Sequence, residues 1–300
     1  MSIVEDEAKF LLAAALAEDV GAGDLTTRWT VSDDLAGAAE IVAKEPLVLA
    51  GAFVARLAFL ALDPAAEVEL PEPEGAEVSE GATVLRVRGK VAGILTAERT
   101  ALNFLARLSG IATLTREFVE RVAGTGARIT DTRKTTPGWR HLEKWAVQLG
   151  GGANHRMGLY DMILVKDNHI AAAGGVREAA QRVVDRNEAR LPVEVEVVRP
   201  ADVEELRGMR VNRILLDNMS EVDLRDAVAR VSRWPAPRPE LEASGNMTLD
   251  RVPGVARTGV AWISVGALTH SVRSVDLSLR LALAGDEGRP EGEAPRGGVA

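Results

Sequence analysis

Between residues 128 and 265 short apolar runs alternate with amphipathic stretches, a pattern that commits the chain to a parallel sheet covered by helices. Arg128–Arg133, Met162–Lys166, Val193–Val197, Arg213–Asp217, Leu241–Ser244 and Ala261–Val265 read as strands. His141–Leu149, Val176–Asn187, Ala201–Leu206 and Glu221–Val231 read as the helices between them. Repeated units of this kind close by right-handed crossovers. Residues 113–285 supply about 170 positions, whereas a full eight-stranded barrel takes about 250. An incomplete α/β barrel of six or seven parallel strands is therefore expected. An open doubly wound sheet is the alternative, but no G-x-G-x-x-G follows the first strand.

The strand ends carry charge. Residues two apart share a strand face, which groups Ile129 with Asp131 and Arg133, and Met162 with Leu164 and Lys166. It likewise groups Glu194 with Glu196, Leu215 with Asp217, and Glu242 with Ser244. These faces are expected to point into the barrel. Burying one unpaired charge costs several kcal/mol, so such a set must meet itself, water or a ligand. An inert ion-pair network is one outcome. A ligand site at the carboxyl ends of the strands is the other, and the loops favour it. Arg133-Lys134-Thr135-Thr136-Pro137-Gly138 and Asn154-His155-Arg156 offer clustered donors for phosphate or carboxylate. Ser244-Gly245-Asn246, Gly266 and His270 follow the last strands, where barrels commonly hold phosphate. Gly150-Gly151-Gly152 is read first as a helix cap.

The N-terminal part is different. Glu5–Glu18 reads as a helix closed by Gly21 and Gly23. Residues 38–88 read as β-strands throughout, with turns similar to those of lipoyl-type half-barrels and Lys90 as a solvated turn lysine. Thr96–Leu108 reads as a helix capped by Thr96, with Glu98 and Arg99 in its first turn, bridging two domains. The expected division is an α+β domain at 1–112, the barrel at 113–285 and a disordered Gly/Pro/Glu-rich tail at 286–300.

Composition limits the function. The sequence holds no cysteine, which excludes disulfides and Cys-ligated zinc and fits a reducing, cytoplasmic compartment. No apolar run approaches the roughly 18–20 residues that span a bilayer, and the acidic N-terminus is not a signal peptide. A net charge of −8 argues against nucleic-acid binding. Within that acidic chain, Arg133, Lys134, Arg140, Lys144, Arg156 and Lys166 outnumber Glu143 and Asp161, marking either a small-anion site or a basic solvated face. No Ser or Cys has a credible His partner and no H-x-x-x-H occurs. Lys166 could form a Schiff base as in barrel aldolases, although an anion-binding role is simpler.

Seven segments, in order, carry a resemblance: "EDVGAGDLTT", "ERTALNFLARLSGIAT", "DTRKTTPGWRHLEKWAVQLGGGANHRMGLYDMILVKDNHI", "VEVEV", "LLDNM", "EASGN" and "ISVGALTHS". On these residues the chain is similar to the quinolinate phosphoribosyltransferases, also called carboxylating nicotinate-nucleotide pyrophosphorylases. The resemblance implies an open β-sandwich-like α+β domain followed by an incomplete α/β barrel. It implies transfer of phosphoribose from phosphoribosyl pyrophosphate to quinolinate, with nicotinate mononucleotide, CO2 and pyrophosphate as products, in NAD biosynthesis. Mg2+ is the implied cofactor, held through substrate with Glu196 and Asp217 as candidate ligands. A homodimer is implied, in which Arg99 reaches the partner's site, with higher assembly left open. By the same resemblance Arg133, His155 and Arg156 join Arg99 at quinolinate, and Lys134 and Lys166 serve substrate and pyrophosphate. Glu196 and Asp217 would lie by the ribose, Glu196 being chosen over Glu194 as nearer the strand end. Ser244, Gly245, Asn246, Gly266 and His270 would bind phosphate. Arg199-Pro200 and the proline-rich stretch Trp234–Pro239 depart from the family pattern away from the site. A non-catalytic anion sensor and a Schiff-base lyase using Lys166 are the competing readings.

Overall fold

The structure is a computed structural model that describes residues 3–283; the expected disordered tail lies outside them. Two compact units emerge, one from residues 9–106 with 275–283, the other from residues 3–8 with 107–274. Helix α1 (Ile3–Val20) covers the helix expected at Glu5–Glu18 and ends at Gly21, whose φ of 52° stops it. Asp24 caps α2 (Leu25–Thr30) by accepting the Thr27 N–H at 2.9 Å. Strands β1 (Ala36–Ala43) and β2 (Leu47–Val48) follow. The all-β reading fails next, at α3 (Ala52–Leu62). Its Ala/Leu/Phe composition favours helix, and Ala52, Ala55, Ala58 and Phe59 are buried at helical spacing. Its first turn is capped from afar, because Glu74 accepts the N–H groups of Gly51 and Phe53 at 2.9 Å each.

After β3 (Glu67–Glu69), β4 (Glu77–Val78) and β5 (Thr83–Lys90) comes α4 (Val91–Arg121). This helix starts five residues earlier than expected, so Thr96 is not its cap and neither Glu98 nor Arg99 lies in its first turn. Burial of Val91 and Ile94, each 1% exposed, extends it backwards. The Thr96 hydroxyl instead donates to Asp24 at 3.3 Å.

The larger unit follows the strand–helix rhythm. Its elements are β6 (Arg128–Thr130), α5 (Arg140–Leu149), β7 (Ile163–Val165), α6 (Asp167–Ala173), α7 (Val176–Arg186) and β8 (Val193–Val197). A 3-10 helix at Pro200–Leu206 replaces one expected α-helix, and β9 (Arg213–Asp217), α8 (Glu221–Ser232) and β10 (Glu240–Ser244) follow. Then come α9 (Val252–Ala256), β11 (Trp262–Ser264), α10 (Ala267–His270) and β12 (Leu277–Leu283). Six strands pair in parallel in the order β6-β11-β10-β9-β8-β7. Chain-consecutive β6 and β7 are the two edges, so the barrel is incomplete between them. Ala153 borders the open edge of β6, donating to Ile129 O at 2.9 Å and accepting from Asp131 N at 3.2 Å. That pairing brings His155 and Arg156 to the strand ends.

β8 is buried on both faces, with Val193, Val195 and Val197 opposite Glu194 and Glu196. The period-two reading holds for β7 to β10 and inverts for β6. Thr130 lies beside Ser264, and Arg128 stacks on Trp262, so Arg128 and Thr130 face inward. Asp131 lies on the outer side, where the buried Lys144 of α5 contacts it. The barrel interior is polar, so the apolar Ile129 belongs to the layer between strands and helices.

In the smaller unit, β12, β1, β5 and β3 form an antiparallel sheet in that order, and β2 pairs with β4. The last described strand thus returns to the N-terminal sheet. Gly89 makes room for Asp63, whose carboxylate accepts the Lys90 N–H at 2.9 Å.

Candidate active site

A cavity of about 430 Å3 opens at the carboxyl ends of the barrel strands, within the ordinary size of small-molecule sites. Lys166 follows β7, Glu196 lies on β8, Asp217 ends β9 and Ser244 ends β10. Arg133, Lys134, His155, Arg156, Gly245 and Asn246 come to it from loops. Of the nominated residues, Arg99, Gly266 and His270 do not line it. Arg99 is exposed on α4. Gly266 lies behind the rim, where an added Cβ would stand 3.0 Å from His270 Nε2 and 3.3 Å from Lys134 Cδ.

The charges here are close and incompletely paired. Burial and the neighbouring Arg133 both push the Arg156 guanidinium below its ordinary pKa. Arg133 Nε is buried without a partner among the described residues. Two guanidiniums held near each other mark a place for an anion. Lys166 Nζ lies 3.8 Å from Glu196 Oε2. Burial raises the Glu196 pKa, Lys166 opposes that, and Asp217 adds to it. Glu196 and Asp217 therefore sense each other across the cavity, a hard-oxygen pair suited to a divalent cation.

His155 behaves differently from a binding cation. Its Nδ1 accepts the Arg156 N–H at 2.7 Å, so the proton resides on Nε2, which donates to Glu194 at 2.9 Å. Burial lowers its pKa and keeps it neutral. It holds the backbone that carries Arg156 and also lines the cavity. Glu194 is fully buried and does not line the cavity; Glu196 does.

Glu242 lines the cavity at its base. Arg213 bonds Glu242 at 2.6 Å, and Arg128 and Arg213 stack on Trp262 at 3.7 and 4.3 Å. Burial raises the Glu194 and Glu242 pKa values to about 7 each. Ligand atoms of His155, Glu194 and Glu242 lie within 4.8 Å of one another. A metal ion there would face the Arg213 guanidinium already on Glu242, which disfavours it.

The basic segment divides into two roles. Lys144 contacts Asp131 and donates to His155 O at 2.9 Å. Burial raises the Asp131 pKa to about 6 against the pull of Lys144. Arg140 bonds Thr135 Oγ1 at 3.1 Å and Met157 O at 3.0 Å. Both residues shape loops, leaving Arg133, Lys134, Arg156 and Lys166 for a ligand. The glycine run is structural: Gly150 closes α5, and side chains at Gly150 or Gly152 would collide with Thr115 of α4.

Several supports escaped sequence reading. Fully buried Glu143 accepts Thr136 N at 3.0 Å, Thr136 Oγ1 at 2.8 Å and Arg107 Nε at 3.0 Å. Arg107 also donates to Thr269 O, while the Thr269 hydroxyl donates to Lys134 O at 2.8 Å. One network therefore holds the loops that follow β6 and β11. Arg251 bonds Gly245 O at 2.6 Å and Met219 O at 2.7 Å, tying the loops after β9 and β10. An acid flanked by Leu142 and the apolar face of α5 was the available signal for Glu143; Arg251 had none.

Comparison with known proteins matches this architecture. The description "Quinolinate phosphoribosyl transferase, C-terminal domain" fits residues 111–280, and the N-terminal domain of that family fits residues 24–109. The chain belongs to the quinolinate phosphoribosyltransferase family. Among family members, "Quinolinate phosphoribosyltransferase [decarboxylating] 2a, mitochondrial" of Nicotiana tabacum is 42% identical over 292 residues, covering 91% of this chain and 82% of its own. "Probable nicotinate-nucleotide pyrophosphorylase [carboxylating]" of Bacillus subtilis is 40% identical over 278 residues, covering 93% and 94%. The solved structure of NadC from Streptococcus pyogenes superposes with a TM-score of 0.89 at 36% identity, covering 95% of this chain and 99% of that one. The nicotinate-nucleotide pyrophosphorylase structure from Francisella tularensis gives 0.87 at 35%, covering 92% and 96%.

Proposed function

We propose that the chain transfers phosphoribose from phosphoribosyl pyrophosphate to quinolinate and releases CO2, forming nicotinate mononucleotide for NAD biosynthesis. The observation that carries this reading is the pairing of Arg133 with Arg156 in one cavity that also holds Glu196 and Asp217. Quinolinate bears two adjacent carboxylates, and guanidinium forks bind such groups bidentately and orient the ring. The ring nitrogen is the nucleophile, so no protein nucleophile is required. The N–C1′ bond forms as the C1′–O bond to pyrophosphate breaks, and positive charge develops on the ribose. Glu196 and Asp217 supply negative potential for it. Lys134 and Lys166 neutralise the departing pyrophosphate. The alkylated ring then accepts the electron pair as the neighbouring carboxylate leaves as CO2, and that carbon takes up a proton.

Mg2+ fits the donor set, because Glu196 and Asp217 present carboxylate oxygens to the same cavity; when bound it would add charge neutralisation at pyrophosphate. A homodimer completes the proposal, with Arg99 of a second copy serving the site. A cytoplasmic location rests on the cysteine-free sequence; among the described residues no helix is long and apolar enough to cross a membrane.

The test is a pyrophosphate-release assay with full-length protein. Release should require both quinolinate and phosphoribosyl pyrophosphate, with CO2 in equal amount. Turnover with nicotinate and not quinolinate would reassign the substrate. Mixing Arg99→Ala with Lys166→Ala protein should recover part of the activity through hybrid sites. No recovery under subunit exchange removes the shared-site arrangement.

A further inference from the structure

At the opposite end of the barrel lies a second cavity, of about 410 Å3. Val193 begins β8, Asn212 precedes β9, and Pro237 and Arg238 precede β10, so the cavity sits at the amino ends of these strands. A five-residue strand such as β8 places it roughly 13 Å from the mouth. This face of an α/β barrel ordinarily serves stability, which makes its chemistry unexpected.

Arg190, Arg210 and Arg238 all line the cavity and no acidic side chain does. That is unlike the mouth, where acids face the cations, and it occurs in a chain of net charge −8. Among the described residues the side chains of Arg190 and Arg210 form no hydrogen bond or ion pair. Arg238 is held by its Nε, which donates to Trp234 O at 2.7 Å, leaving its terminal nitrogens for another acceptor. Arg190 is presented by a tied turn. Its φ is 52°, and Asn187 closes the turn by donating to Leu191 O at 2.7 Å and accepting from Leu191 N at 2.9 Å. A non-glycine residue in the left-handed region is disfavoured, so the surroundings must impose it. The rest of the lining is mixed, with Val184, Leu191, Val193, Met209 and Val211 beside Asn187 and Asn212.

Three guanidiniums line one cavity without an acid among its lining residues, and phosphate oxygens suit guanidinium forks. The apolar part of the lining suits the face of a flat ring, and Asn187 and Asn212 supply polar groups at its edge. We infer that this cavity binds a nucleoside phosphate, with the phosphates on Arg190, Arg210 and Arg238 and the base against the apolar lining. The site is separate from the phosphoribosyl-transfer mouth.

The experiment uses ATP as the probe, with calorimetry on the full chain. Lys134→Ala/Lys166→Ala protein, with its mouth weakened, should still bind one ATP per chain. Arg190→Ala/Arg210→Ala protein should lose at least about tenfold in that affinity. The arginine variant should keep turnover of quinolinate and phosphoribosyl pyrophosphate within about twofold of wild type, and circular dichroism provides an independent check that it is folded. ATP binding unchanged by the arginine replacements, or abolished by the lysine ones, overturns the site. Inorganic tripolyphosphate binding as tightly as ATP overturns the role of the apolar lining. Neither binding arm depends on turnover, so failure of the phosphoribosyl-transfer reading would leave this test decisive.

Discussion

On the floor of the barrel Arg213 sits 2.6 Å from Glu242 and His155 2.9 Å from Glu194, with both histidine nitrogens engaged. At the mouth the nearest acid to Lys166 among the described residues is 3.8 Å away, and Arg133 Nε has no partner among them. The same residue types occupy both levels of one sheet. The floor also keeps Glu194 Oε1, Glu242 Oε1 and Arg213 Nε without hydrogen-bond partners among the described residues, so what separates the levels is the close ion pairing below and its absence above. The polar strand faces therefore carry both meanings proposed for them, an inert network below and a ligand site above.

The largest expected effect lies on the floor. Arg213→Met leaves Glu242 buried and unpaired, and should lower stability by roughly 3–5 kcal/mol in urea unfolding at pH 8. A loss below about 1 kcal/mol would show that the floor is not held by this pair. At the mouth the pattern should reverse. Arg156→Ala should cost roughly 2–3 kcal/mol of transition-state binding, a fall of about 30- to 150-fold in kcat/KM for quinolinate. Its unfolding midpoint should hardly move, and Arg156→Lys should not restore the fork. Equal losses of stability and activity would erase the distinction between the levels.

A smaller change is expected at Gly245, where φ is 93° and an added Cβ would collide with the Asn218 side chain. Gly245→Ala should cost about 1–2 kcal/mol and raise KM for phosphoribosyl pyrophosphate more than for quinolinate. An equal rise in both KM values would detach this loop from the sugar phosphate.

The most gradual effect is in pH dependence. Burial raises the Glu242 pKa from 4.5 to about 7, so the folded state holds its proton more tightly than the unfolded state. That contribution to stability is complete below about pH 4.5 and is lost as pH rises through 7. Glu242→Gln should flatten the decline in stability between pH 5 and 8 by up to about 1.4 kcal/mol per pH unit. An unchanged slope would mean that Glu242 stays ionised in the fold.

The barrel was readable because its strands are short, apolar and regularly spaced; all six appear where the pattern places them. The cationic loops were readable because Arg133-Lys134 and His155-Arg156 are contiguous in the chain. What failed to show depends on distant partners. Helix α3 is capped by Glu74, more than twenty residues away, and β12 pairs with β1 from the other end of the described chain. Arg107 and Glu143 join loops after β6 and β11, and no local motif announces such a junction.

Sequence by itself determined the parallel architecture and the residues able to hold an anion, because hydrophobic period and side-chain chemistry are local properties. Only the tertiary structure decided which of those residues are available. It turned Asp131 outward onto Lys144, left His155 neutral between Arg156 N–H and Glu194, and placed Glu196 rather than Glu194 on the cavity. The physical reason is that the state of a charged group is set by what surrounds it in space, and here those neighbours arrive from separate strands.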